Sequence, residues 1–312
     1  MDIPLFDAHC DTVSRIACFP GRSLTRNTGQ WDLNRLENVH QKAQVFALFW
    51  DSALPRAREA VEYQLRVFQK LCQDEADRVS HCRTGVEAKA AIEQGRLAAF
   101  LSVEGGELLD CSVERLRWAH EQGVRIVNLT WNHANALSGS HSDDFDRGLS
   151  GQGRAFVAEM ERLGMLPDVS HLSEAGFWDV MECTEKPVIA SHSNSQSVFF
   201  HTRNLTDAQF TAIIEKHGIV GLNCYARFLG DGKVTMDTLQ KHLDHFLALG
   251  GEKTVALGGD WDGCSKLPSG WDGVWNWLDF YEHLWKQNYP EQLLRDLYFN
   301  NLMRTVSEVC II

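Results

Sequence analysis

The sequence predicts an α/β protein folded as a closed (β/α)8 TIM barrel, one domain over residues 1–312 with a helical C-terminal extension. Three observations predict it. Eight short apolar runs recur along the chain, helix-like intervals separate them, and polar residues collect where the runs end.

The runs fall at 3–8, 43–50, 97–103, 124–130, 165–170, 187–191, 218–224 and 254–259. Most are apolar at consecutive positions rather than alternating ones, the pattern of strands covered on both faces of a parallel sheet. Between them, 56–77, 86–94, 113–121 and 153–163 carry spaced apolar residues among charges. Ser173 and Thr206 stand where helix N-caps are expected, and 236–249 precedes the last run. Residues 269–312 are rich in Trp, Leu and charge and are predicted to be mostly helical, closing the structure. A doubly wound open sheet would alternate in the same way, so the positions of the polar residues carry more weight than the count.

Composition narrows the function classes. At 44% hydrophobic, with 10 Trp and 16 Phe, the chain has material for a large core. Its net charge of −12 disfavours nucleic acid and anionic membrane as partners, because both select clustered Lys and Arg. No basic segment followed by an apolar one opens the chain, and no apolar run is long enough to span a bilayer. The nine cysteines are irregularly spaced, without a C-x-x-C pair, which fits reduced thiols and a cytoplasmic location. The sequons at Asn128 and Asn204 are then chance matches. Trp271, Trp275, Trp277 and Trp285 read as packing for the C-terminal helices, and Asp143, Asp144 and Asp146 as a solvated loop.

Run one ends in Asp7-Ala8-His9-Cys10-Asp11, run three in Val103-Glu104-Gly105-Gly106, and run four in Thr130-Trp131-Asn132-His133. Run five ends in Ser170-His171, run six in Ser191-His192-Ser193, and run eight in Gly259-Asp260-Trp261-Asp262-Gly263. In a barrel these ends converge on one face. Strand alternation puts His9 and Asp11 on one side, within reach of one ion. His171, His192 and Glu104 supply further ligands, and mixed imidazole and carboxylate donors suit Zn2+, with Mn2+ and Co2+ also compatible. Two ions need a shared carboxylate or hydroxide bridge, and Glu104 is central enough to serve. Each residue alone has a plain structural reading: a satisfied histidine, a helix cap, a turn. Cys10 reads as a small apolar filler rather than a nucleophile. The ordered set favours a metal site, because buried acids and imidazoles need partners. No H-E-x-x-H, G-x-S-x-G or phosphate-cradling glycine motif is present.

These motifs, together with Arg203-Asn204 and in this order over residues 7–263, resemble the membrane (renal) dipeptidase family, metallopeptidase family M19, in a bacterial-type member. The resemblance implies an amidohydrolase-like barrel with His9 and Asp11 on one zinc, His171 and His192 on the other, and Glu104 bridging. It assigns Arg203 to the substrate carboxylate, Asp260 to the acid beside metals and substrate, and Tyr225 to the substrate face. It also implies acceptance of dipeptides with a C-terminal D-residue, and a homodimer. One position departs. Animal members carry a histidine directly after Leu-Thr, where this chain has Trp131, with His133 two residues on.

The chemistry that follows is attack on a peptide carbonyl by a hydroxide between two metals, with Asp260 handling the proton. A substrate anchored by its carboxylate in a barrel mouth must be short, which points to dipeptides. Related readings are cleavage of N-acyl-amino acids or lactones on the same metals, and an inactive metal-dependent binding homologue.

Overall fold

The computed structural model of the chain describes residues 3–19 and 23–311. Met1, Asp2 and Ile312, at the ends of stretches read above, lie outside the described residues.

Among the described residues, nine parallel strands form. They are β1 (Leu5–Cys10), β2 (Lys42–Phe49), β3 (Val79–His81), β4 (Leu97–Glu104), β5 (Val124–Asn128), β6 (Leu166–Asp168), β7 (Ile189–Ala190), β8 (Ile219–Leu222) and β9 (Val255–Leu257). Eight of them close into a ring in the order β1-β2-β4-β5-β6-β7-β8-β9, with β9 pairing back onto β1 at Asp7 and Leu257. These eight are the apolar runs of the sequence. The ninth, β3, was not expected. It pairs with β4 at 97–99, on the flank that β5 takes from Leu101 onward.

One apolar cluster draws residues from every barrel strand: Phe6, Val45, Phe100, Ile126, Leu166, Ile189, Ile219 and Ala256. Phe6 stacks on Phe100 with ring centroids 5.6 Å apart. Phe299, Leu302, Met303 and Val306 of the C-terminal helical segment join this cluster and plug one end of the barrel. Neighbouring strand residues such as Leu5, Leu101, Val127 and Leu257 pack instead in the larger cluster shared with the surrounding helices. Burial on both sides is what made the runs continuously apolar.

The helices lie close to their predicted bounds: Ala57–Asp74, Gly85–Glu93, Val113–Glu121, Gly151–Leu163, Glu174–Cys183, Asp207–Glu215 and Met236–Ala248. Ser173 caps its helix through the Gly176 N–H, and Thr206 forms a reciprocal capping box with Gln209. Residues Asn276–Lys286 and 291–309 are helical, as predicted for the extension. Trp271 and Trp277 are core residues, whereas Trp275 and Trp285 are 37% and 40% exposed, so the packing reading holds for only two of the four. Asn128 and Asn204 are buried, so neither sequon offers its side chain to solvent. Among the described residues, no helix is long and apolar enough to cross a membrane.

Two glycines let the last strands close beneath the site. A Cβ on Gly258 would stand 1.8 Å from the Ser191 carbonyl oxygen, and one on Gly221 2.0 Å from it. Only a missing side chain permits that approach.

Candidate metal centre

The polar strand ends meet at the barrel mouth. His9 Nε2 lies 3.6 Å from Asp11 Oδ2 and 3.6 Å from Glu104 Oε2. The other oxygen of Glu104 is 3.1 Å from His171 Nε2 and 3.7 Å from His192 Nε2. The carboxylate of Glu104 therefore faces His9 with one oxygen and the His171–His192 pair with the other. His9, Asp11 and Asp260 form a second group of close ligand atoms. All six side chains are at least nine-tenths buried.

The way His9 and Asp11 meet differs from the strand alternation expected. The β1–β2 ladder shifts register between Asp7 and Cys10. Asp7 turns to accept from Trp261 Nε1, Trp277 Nε1 and the Gly259 N–H. Asp11 has already left the strand. It occupies the N-cap of helix Thr12–Cys18, yet its side chain caps nothing, and Oδ1 has no hydrogen-bond partner.

Both rings of the imidazole pair are held from behind. His171 Nδ1 is 2.9 Å from Asn132 Oδ1, which His141 Nε2 also approaches at 2.8 Å. His192 Nδ1 is 2.7 Å from Ser191 Oγ. With Nδ1 engaged in each ring, Nε2 is the atom presented to the centre. Two of the site residues hold a left-handed backbone, His171 at φ +71 and Asp260 at φ +58, a strained state that clusters where geometry serves function.

Burial lowers the basicity of His171 and His192 well below the ordinary imidazole range, with the positive charges of Arg203 and His9 adding to it. Burial acts on His9 in the same sense, but Glu104 and Asp11 outweigh it and raise its pKa well above the usual value. A cation held among these groups would take the place of that proton. Burial pushes the Asp260 carboxyl up to about 7, Asp11 and Glu104 reinforcing it and His9 and Arg203 opposing it. Asn223 Nδ2 donates to Asp260 Oδ2 at 3.1 Å.

The residues fit divalent cations. Both ring nitrogens of His9 are buried without a hydrogen-bond partner, as is Asp11 Oδ1. A Cβ on Gly263 would stand 2.2 Å from Asp11 Oδ2 and 2.3 Å from Asp260 Oδ1, so the glycine keeps a gap open between two carboxylates. Nitrogen and carboxylate donors without thiolate suit Zn2+. Cys10 is fully buried with its thiol pushed well up by burial, which removes it as a nucleophile.

Two cavities border the centre. One, of about 520 Å3, lies over Asp11, Glu104, His192 and Asp260 and has Trp131, Asn132, Tyr225 and Phe228 in its walls. The other, of about 680 Å3, contains Arg203, His141 and Thr202. Arg203 is buried, donates through Nη2 to the His192 carbonyl at 3.1 Å, and leaves Nε without a partner. Burial lowers its pKa to about 10, with Asp260, Glu104 and Asp168 opposing the shift. Thr206 and Gln209 cap the following helix without it. The Tyr225 hydroxyl contacts Ser265 Oγ at 3.1 Å. His133 points to Asp51 at 3.5 Å and does not line the first cavity, which Trp131 and Asn132 do. Asp146, read as part of a solvated loop, borders the second cavity.

Asn132, Ser191, Asn223 and Gly263 were not singled out from sequence. Ser191 and Asn132 had a signal, since each adjoins a candidate residue in a strand-end motif. Asn223 and Gly263 had none beyond their place at strand ends.

A parallel barrel with imidazoles and carboxylates converging at the carboxyl ends of its strands defines a metal-dependent hydrolase. The sequence profile of the family described as membrane dipeptidase (peptidase family M19) matches residues 1–311. The chain belongs to this family and is a peptide hydrolase of the metallo-dipeptidase type. It is similar to a dipeptidase of metallopeptidase family M19, with 29% identity over 99% of both chains and a TM-score of 0.91. It is also similar to a metallopeptidase from Rhodobacter sphaeroides liganded with a phosphinate mimic of the dipeptide L-Ala-D-Ala. There the identity is 27%, over 99% of this chain and 100% of that one, with a TM-score of 0.91. An amidohydrolase from Pseudomonas aeruginosa, 22% identical over 99% and 97% of the two chains, shares the fold at a TM-score of 0.83.

Proposed function

We propose that the chain is a two-metal dipeptidase that hydrolyses small dipeptides, including those with a C-terminal D-residue. The observation that carries the reading is the position of Glu104, whose two carboxylate oxygens face His9 on one side and His171 with His192 on the other. His9 and Asp11 would hold one ion, His171 and His192 the second, and Glu104 both. Zinc is the favoured metal for these donors. When bound, such ions supply an activated water at neutral pH and polarise the peptide carbonyl.

The protein's own groups supply the rest. Arg203 is a buried guanidinium with an unpartnered Nε, suited to receive the substrate carboxylate. Asp260 lies beside His9 and Asp11 at the centre, placed to accept a proton there and pass it to the leaving amine. Asn223 fixes Asp260 through Oδ2. Tyr225 borders the same cavity and would face the substrate. Tolerance of a D-residue draws support from the Rhodobacter sphaeroides relative and its L-Ala-D-Ala mimic.

The test compares kcat/KM for Ala-Ala and its C-terminal amide in the native protein and in Arg203→Met. Losing a charge-assisted contact worth about 1.5–3 kcal/mol lowers the rate on the free acid about ten- to a hundredfold. The amide should be a poor substrate for the native protein and lose little more. Equal proportional losses on both would make Arg203 structural and favour a general amidase.

A further inference from the structure

The two cavities at the barrel mouth have one lining residue in common, His171. Arg203 belongs to one of them, and Glu104, Asp11 and Asp260 belong to the other. A dipeptide whose carboxylate lies on Arg203 therefore has its C-terminal residue toward the 680 Å3 cavity. Its N-terminal residue then extends into the 520 Å3 cavity beyond the scissile bond.

That second space has an aromatic wall. Phe49 and Trp131 pack with ring centroids 4.8 Å apart and planes at 57°. Tyr225 and Phe228 make a second pair at 4.8 Å and 68°. All four rings line the cavity and all are only partly buried; Phe228 also lies 4.5 Å from the His201 ring and 5.6 Å from the Arg203 guanidinium, next to the proposed carboxylate site. The tilted arrangement leaves ring faces and edges open to a further ring or branched aliphatic group. Of the carboxylates in this cavity, Asp11 and Glu104 are the proposed metal ligands and Asp262 pairs with Arg15 at 3.6 Å. A charged side chain laid against the aromatic wall would lose water without gaining a partner, and a methyl group would leave the wall wet.

We propose that the Phe49–Trp131 and Tyr225–Phe228 ring pairs form the subsite for the substrate's N-terminal side chain and select large apolar or aromatic residues there. The assignment rests on the dipeptidase reading and on Arg203 as the carboxylate partner. Trp131 is the residue that separates this site from one carrying a histidine at the same place. An indole adds apolar surface to the wall where an imidazole would add a polar contact.

The experiment measures kcat/KM of the metal-loaded protein on Phe-Ala, Ala-Ala, Asp-Ala and Ala-Phe. Phe-Ala should exceed Ala-Ala by about tenfold or more, as filling an apolar subsite does, and Asp-Ala should be slowest. Trp131→Ala should cut the Phe-Ala to Ala-Ala ratio at least about fivefold, a comparison within one protein that cancels general damage. Phe49→Leu, a milder change, should lower the same ratio in the same direction and serves if the first variant does not fold. A native ratio at or below one overturns the assignment while leaving the dipeptidase reading intact. A preference that follows the C-terminal residue, with Ala-Phe favoured and Phe-Ala not, overturns it as well. Absence of turnover on all four dipeptides overturns the dipeptidase reading and the subsite with it.

Discussion

The Nε2 atoms of His171 and His192 stand 2.8 Å apart, although the two rings enter from the ends of different strands. Each ring is fixed through its Nδ1, one by Asn132 and the other by Ser191. Two buried imidazoles aimed at one point, with Glu104 beside them, have little structural purpose without a cation. Groups that orient a ligand ring raise its basicity and hold its tautomer.

Asn132 should therefore govern metal affinity without touching the metal. Asn132→Ala should weaken zinc binding about ten- to a hundredfold, while Asn132→Asp, which keeps an acceptor oxygen, should retain more of it. Competition with a chelator of known affinity measures this. Unchanged affinity in Asn132→Ala would show that His171 needs no support from behind.

Gly263 leaves the gap between Asp11 and Asp260 open, and a methyl group there would collide with both carboxylates. Gly263→Ala should lower bound metal and reduce kcat/KM on Ala-Ala by about tenfold or more, with circular dichroism unchanged. Elemental analysis after dialysis decides it. Native metal content in the variant would mean that the gap serves packing alone.

Much of this was legible in the sequence because barrel strands buried on both faces are continuously apolar. β3 escaped notice because it is three residues long, half-exposed at two of them, and pairs on one side only. The helix Thr12–Cys18 was missed too, following so closely on β1 that its start reads as part of the strand-end motif. His9, Asp11, Glu104, His171, His192 and Asp260 do converge, as their places at strand ends predicted. The route differs for Asp11, which has left β1 and stands at the N-cap of helix Thr12–Cys18. Asn132 could not be recognised alone, since its partner His141 returns to it only through the fold of the 132–150 loop. Which cavity holds Arg203 depends on the same kind of long-range packing, which no local pattern encodes.

The fold also carries a pH dependence apart from the metal centre. His242 is fully buried, accepting from the Ser195 N–H through Nδ1 and bonded to the Leu229 carbonyl through Nε2. Burial lowers its pKa to about 4, below the ordinary 6.5. The unfolded chain thus takes up a proton that the folded chain refuses. Its contribution is complete above about pH 6.5 and is lost as pH falls toward 4, at about 1.4 kcal/mol per unit. Denaturant unfolding of the metal-free protein at pH 7, 6 and 5 should show a slope to which His242 adds its share beside the other buried imidazoles His81, His141, His171 and His192, and His242→Gln should flatten it by about that share. An unaltered slope in the variant would remove His242 as its source.

Glu104→Gln keeps the shape of the proposed bridge and removes its charge. Because the barrel interior packs through Phe6, Phe100 and their neighbours and not through the metal, the fold should survive. Metal affinity should fall and turnover of Ala-Ala should drop by about a hundredfold or more. Native turnover in this variant would reassign the bridge.

The most direct test of two ions joined at Glu104 is a zinc titration of metal-free protein, with Ala-Ala hydrolysis and bound zinc followed together. Activity should climb until two zinc ions are bound per chain and stay level beyond that point. Full activity at one bound ion per chain would contradict the two-metal account.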